Sequence, residues 1–229
     1  MQFPSSDPTW IVELIKFFVL IGIGSILFSQ WFRSTRRFYT DFPFLMSISV
    51  IIIAIGELTD VFVNSGLGVY TLQLYKVRVG LVITAMLPML YMTVLIWLSD
   101  QMRAGKIFMT IFAIFCLSVL ASLPTIDLTR LVGVLFLLVV IIPFIITFSW
   151  AWFLKRLPDI HSGLVVLGII FLLSGQLFKA IGGILGLYSW LWFAEVLDLI
   201  GFAVVVVGFM VKPGWAKQAQ ISSHPLPMD

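Results

Sequence analysis

Seven stretches of this chain are each apolar over about the length of a bilayer, and that leaves few folds open to it. A helix needs about 20 mostly apolar residues to cross the hydrocarbon; the stretches run over roughly 10–32, 43–64, 74–98, 107–123, 128–154, 162–186 and 189–211. The fourth is the shortest. Backbone N–H and C=O groups find no water in the bilayer core, so each stretch has to satisfy its own hydrogen bonds as a helix. Composition points the same way. Hydrophobic residues make up 61% of the 229 positions and charged ones 11%, whereas an ordinary soluble domain is about 45–50% apolar and about 25% charged. With a mean hydropathy of +1.12, the chain carries more apolar surface than a water-soluble core of this size can hide. The expected fold class is an all-α integral membrane protein, a seven-transmembrane helix bundle in a cell membrane.

The basic residues orient it. Short loops on one side hold Arg33, Arg36, Arg37, Arg103, Lys106, Lys155 and Arg156, and Lys212 and Lys217 follow the last span, nine in all. The other side has three, Lys76, Arg78 and Arg130, near span ends. The positive-inside rule then predicts an outside N-terminus and a cytoplasmic C-terminus. This placement also accounts for the pI near 9.1 without nucleic acid as a partner, since the formal net charge is only +3. Aromatic residues near span ends (Trp10, Trp31, Tyr75, Trp97, Trp150, Trp152, Tyr188, Trp190, Trp192) suit interfacial belts or packing between helices. The start MQFPSSDPTW lacks the basic residues of a signal peptide, so the first span is read as retained. Lys212 to Asp229, with Pro213, Pro225 and Pro227, reads as a disordered extension.

The first three spans align with the last three. Phe17 meets Phe136, Trp31 meets Trp150, Arg37 meets Arg156, Leu45 meets Leu164, Gly56 meets Gly175 and Leu58 meets Leu177. One gap then brings Leu67-Gly68-Val69-Tyr70 onto Leu185-Gly186-Leu187-Tyr188. Matches among Leu and Phe are cheap in apolar sequence; matched Trp, Arg and Gly are not. The expected organisation is an N-terminal tail (1–9), a three-helix repeat (10–106), a linker helix (107–127), a second three-helix repeat (128–211) and a tail (212–229). Both repeats then run the same way through the membrane. The plan resembles the three-plus-one-plus-three architecture of the SWEET sugar transporters and the KDEL receptor. Their Pro-Gln signature is missing: the first span has no proline, and in the fifth Pro143 is followed by Phe144, so no residue role is carried over.

Ionisable groups inside a span cost about 2.5–3.5 kcal/mol each on insertion scales, so they turn inward and pair. The second span carries Glu57 and Asp60, the sixth Gln176 and Lys179, the seventh Glu195 and Asp198, and the first Glu13 and Lys16. Every pair has i, i+3 spacing and therefore shares a helix face. Lys76 and Arg78 open the third span two residues apart, with Arg78 the inward member. At about 1.5 Å of rise per residue these groups form one level, roughly 5–14 Å below the outer surface. In the repeat Glu57 corresponds to Gln176 and Asp60 to Lys179, an acidic face in one half answered by a basic position in the other. The inward set is expected to be Glu57, Asp60, Glu195 and Asp198 against Arg78 and Lys179, an acidic excess of two. An ion-pair lock between helices would produce such a layer. So would a site for an ion or small polar ligand, which the excess favours.

Other chemistries are set aside. His161 and His224 lie outside the spans, and Cys116 is the single cysteine, so haem, metal centres and disulfides are not expected. Lys179 is in the sixth span, not the last where a retinal Schiff base would need it. Asp198 is followed by Leu199-Ile200-Gly201, which does not suit intramembrane aspartyl proteolysis. Gly66-Gly68 and Gly182-Gly183 sit at span ends rather than in a phosphate loop, and Gly163, Gly168, Gly175, Gly182 and Gly186 predict a closely packed, central sixth helix. No enzyme activity and no cofactor are expected. Three function classes stay open: transport or binding of an ion or small polar solute, a seven-helix sensor signalling through a separate partner, and an accessory subunit of a membrane complex. The expected partners are the bilayer, such a ligand, and another membrane protein or a second copy in a homo-oligomer.

Overall fold

In the computed structural model residues 9–33, 38, 41–97, 102–158, 160–185 and 191–215 are described. The residues before Thr9, Arg36, Arg37, Gly186, Tyr188, Trp190 and the tail from 216 onward, with Lys217, His224, Pro225 and Pro227, lie outside that set. The described residues form seven helices: α1 (Thr9–Arg33), α2 (Phe42–Asn64), α3 (Leu72–Trp97), α4 (Met102–Ser122), α5 (Ile126–Phe153), α6 (Ser162–Leu185) and α7 (Leu191–Met210). All seven are long and apolar enough to cross a membrane. The seven-helix bundle expected from the sequence is the fold.

Element ends follow local chemistry. Pro43 sits in the first turn of α2, where its missing N–H has no intrahelical partner to lose. Thr125 caps α5, its hydroxyl accepting from the Leu128 N–H at 3.3 Å. α4 begins at Met102, five residues before the apolar run that betrays it. Arg103 and Lys106 form its first turns; both are good helix formers whose heads reach outward along long aliphatic stems, so an apolarity count stops short of them.

Six helices form a ring in the order α1, α2, α3, α5, α6, α7, closed by α7 against α1. α4 stands outside, packed on α3 and more lightly on α5. The bundle is apolar outside and over most of its interior, with one charged layer buried within it. Phe18, Ile55, Ile111, Leu135, Ile181 and Val207 point outward, while Glu13, Lys16, Glu57, Asp60, Glu195 and Asp198 are buried. Lipid is the solvent that makes this arrangement favourable.

The tightest seam joins α6 to α7 and is built on glycine. A side chain at Gly168 would meet the Gly201 carbonyl oxygen and the Val205 nitrogen at 2.7 Å, and one at Gly208 the Val165 nitrogen at 2.8 Å. One at Gly175 would overlap Asp198 and approach the Ala194 oxygen at 2.9 Å. The sixth helix is therefore closely packed, as expected, but it is a wall helix between α5 and α7 and not a central one. Gly168 and Gly175 face α7, whereas Gly163 lies against Trp152 of α5. Without a hydrophobic drive between helices in lipid, this backbone contact is what van der Waals attraction can exploit.

Gly168→Ala should lower stability by about 1–3 kcal/mol through overpacking against backbone atoms. Gly22→Ala, where an added carbon meets nothing within 4 Å, should be neutral or slightly stabilising. Thermal unfolding of the two variants in detergent, compared with the parent, checks the contrast.

Candidate functional site: an ion-pair layer beneath a polar cavity

The paired ionisable residues of the first, second, sixth and seventh spans converge. Lys16 lies at the centre, fully buried, its Nζ 2.7 Å from Glu57 Oε2 and 3.7 Å from Asp198 Oδ2 and in close contact with Glu195 Oε2. One ammonium thus ties α1 to α2 and α7. Lys179 of α6 bridges Glu195 Oε1 and Asp198 Oδ2, both at 2.6 Å. Gln176, one turn earlier, donates to Asp198 Oδ2 at 2.8 Å. The i, i+3 spacing explains this: each helix turns both members of its pair to the same side.

A second group sits beside it. Arg78 grips both oxygens of Asp60, donating from Nη2 to Oδ2 at 2.7 Å and from Nε to Oδ1 at 3.1 Å, the forked geometry that suits guanidinium to carboxylate. Tyr70, from the α2–α3 connection, donates its hydroxyl to Asp60 Oδ1. Burial and the Asp60 carboxylate hold the Tyr70 phenol above its ordinary value, so it remains a donor. Lys76 turns away and donates to the Ala121 carbonyl of the α3-packed α4 at 2.6 Å, which leaves Arg78 as the inward member. Glu13 accepts from Asn64 Nδ2 at 2.7 Å through Oε1, and its buried Oε2 has no hydrogen-bond partner.

All the sequence-predicted site residues, Glu57, Asp60, Arg78, Gln176, Lys179, Glu195 and Asp198, belong to these two groups. One expectation needs correction. The inward count left out helix 1, yet Lys16 is the hub and Glu13 is buried beside it. With both included, five acids face three bases in these two groups among the described residues, and Arg130 at the edge of the site makes a fourth base, which leaves an excess of one acid. The signal was present in the shared spacing of Glu13 and Lys16. Tyr70, Asn64 and Arg130 carried no such signal, because each lies near a helix end where polar residues are ordinary.

Above the layer, toward the N-terminal end of the bundle, lies a cavity of about 170 Å³. Its wall includes Glu13, Asp60, Arg78, Arg130, Lys179 and Glu195, with an apolar side made by Val79, Val82, Ile83, Val134 and Leu137 of α3 and α5. At roughly 30 Å³ of liquid volume per water it suits a handful of waters or a small solute in their place. A smaller void of about 40 Å³ lies between Glu57, Arg78, Gln176 and Asp198 and the apolar residues Met86, Ile141 and Phe202. Toward the opposite end Phe144 and Phe148 stack at 4.4 Å between ring centres. Phe209 and Phe42 pack around Phe148 at 5.9 and 6.4 Å. Among the described residues, aromatic rings pack that end.

Comparison with family models, curated proteins and solved structures finds no match to this chain.

Lys16→Met leaves buried carboxylates without their counter-charge and should cost about 3–5 kcal/mol. Adding Glu195→Gln removes one of those orphaned charges, so the double variant should lose less than the two single losses combined. Lys76→Met, at a helix-end contact, should stay within about 0.5 kcal/mol of the parent. Unfolding titrations of the parent and the four variants, Glu195→Gln alone included, in one detergent measure all three expectations.

Proposed function

We propose that the protein binds a small polar or charged solute in the cavity above the ion-pair layer and carries it across the membrane. The observation that carries this reading is the asymmetry of the bundle interior. A charged cavity of about 170 Å³ sits at one end, and a tight aromatic cluster closes the other. Carrier sites sit inside the bundle between two halves that rock against each other, with one end sealed while the other is open. The six-helix ring suits such motion. Exchanging α1 with α5, α2 with α6 and α3 with α7 maps the ring onto itself, the relation the sequence repeat requires.

The acidic excess supports a ligand over a pure lock. A layer that served only to fasten helices would cost least when its charges balanced, because each unpaired buried charge carries a desolvation penalty. The orientation that the basic loops favour places the cavity on the outer side. Among the described residues that line it, no side-chain arrangement suggests a nucleophile with its base, so the reading is a non-catalytic one. A sensor shares the cavity but needs no opening at the closed end, and an accessory subunit needs no solvent-reached cavity at all.

Cysteine accessibility separates the three. In a Cys116→Ser background reconstituted into sealed vesicles, Val134→Cys in the cavity wall should react with a charged, membrane-impermeant methanethiosulfonate from one side only. A carrier must also expose its closed half at times, so Ser47→Cys or Thr93→Cys, both buried there, should react slowly from the opposite side. Reaction at Val134→Cys alone makes the protein a sensor-like pocket; no reaction at any of the three makes the layer a lock.

A further inference from the structure

Most charged groups on the cavity wall are already matched. Asp60 is held by Arg78, and Glu195 by Lys16 and Lys179, while Lys179 also pairs with Asp198. Two are not, one a carboxyl group and the other a guanidinium. Glu13 of α1 is 2% exposed, bonded only to Asn64, with its second oxygen buried and unpartnered. Arg130 of α5 has no carboxylate within ion-pair distance among the described residues. Its contacts are with Tyr75, whose hydroxyl lies 3.5 Å from Nε and whose ring centre lies 6.0 Å from the guanidinium carbon.

These two groups stand on opposite walls. In the ring order α1, α2, α3, α5, α6, α7, the helices α1 and α5 are three places apart either way round. Both side chains line the same cavity. A metal cation or an amine would answer Glu13 and leave Arg130 unmatched. A carboxylate or phosphate would do the reverse. A molecule with an ammonium at one end and a carboxylate at the other answers both and adds no net charge to an already crowded layer. The apolar strip formed by Val79, Val82, Ile83 and Leu137 leaves room for a short aliphatic portion.

We infer that the cavity is a binding site for a small zwitterionic amino-carboxylate, its ammonium at Glu13 and its carboxylate at Arg130. This rests on the proposed solute-binding role and names the class of solute. The volume limits the ligand to a few heavy atoms, since drug-sized ligands occupy pockets of about 300–1,000 Å³. Tyr75 keeps the Arg130 guanidinium turned to its ring, which limits the side-chain freedom lost on binding.

The test uses the full chain in vesicles with the Cys116→Ser, Val134→Cys background. The rate of thiol modification is read with L-alanine, γ-aminobutyrate, ethylamine or propionate in the bath. At least one of the two amino-carboxylates should slow modification in a saturable way, while ethylamine and propionate, each carrying one pole, should need about tenfold or more higher concentration for the same protection. Glu13→Gln and Arg130→Gln should each raise the half-protecting concentration of the effective amino-carboxylate by about tenfold or more. The single-pole analogues on the unaltered site keep the test decisive if either variant folds poorly. Equal protection by ethylamine or by propionate overturns the inference. So does modification that no amino-carboxylate slows, although a solute-reached cavity then still stands. Failure of Val134→Cys to react at all removes the solute-binding reading as well.

Discussion

The buried ammonium of Lys16 is the contact on which the rest of the bundle interior depends. Three carboxylates from two other helices surround it, Glu57 on α2 and Glu195 and Asp198 on α7. None of these could sit in hydrocarbon alone, because an unpaired charge in a low-dielectric medium costs several kcal/mol even after relaxation. The cluster is thus mutually obligate: removing the cation leaves the acids exposed to an apolar surround, and removing the acids strands the cation. Lys179 enters the same network from α6 and shares two of the acids. Four of the six ring helices are fixed in relative rotation by one set of charges. Arg78 and Asp60 then add α3 to α2 by the same logic.

Packing and charge divide the work around the ring. α6 and α7 meet over glycines with backbone atoms almost in contact, and α1 and α2 are also closely joined, with Gly24 leaving room for Ile51. The seam between α1 and α7 is much slighter. It is across that slight seam that Lys16 reaches Glu195 and Asp198. Dispersion contacts hold the intimate pairs, where small residues allow many close atoms. Electrostatics hold the seam where few atoms touch. Gly175 links the two regimes: any side chain there would occupy the space of the Asp198 carboxylate, so the glycine that brings α7 close also admits the acid to the network.

Much of this was legible in the sequence for simple reasons. Seven apolar runs had to be helices, because lipid allows little else. Buried charges announced themselves by their rarity in those runs and by the i, i+3 spacing that gave each helix one polar face. Arg78 was separable from Lys76 because residues two apart on a helix point in different directions. Three things were harder to read. The start of α4 was hidden because Arg103 and Lys106 are charged yet belong to the helix. Lys16 was seen as part of the layer but not as its centre, since spacing gives a face and not the neighbour it meets. The roles of Asn64, Tyr70 and Arg130 depend on which helix ends come together, and nothing in a single chain's pattern encodes that.

The position of the charges relative to the closed end bears on how any solute could pass. Below the network lie a small void and then the stacked rings of Phe144 and Phe148 with Phe209 and Phe42. These rings come from α5, α7 and α2, so they part only if those helices separate at their far ends. The α6–α7 and α1–α2 contacts resist internal shear, because well-packed backbone contact has few alternative registers. The slight α1–α7 seam is the natural place for one half to move against the other, and it is crossed by ion pairs. Ion pairs within a polar layer can exchange partners without leaving a charge unpaired when a second acceptor is already in reach. Lys16 lies within reach of three acids and Lys179 of two of the same three. A sliding helix could therefore trade one carboxylate for another without stranding a charge. A layer with more acids than bases is better suited to that exchange than a balanced one, in which every partner is already taken.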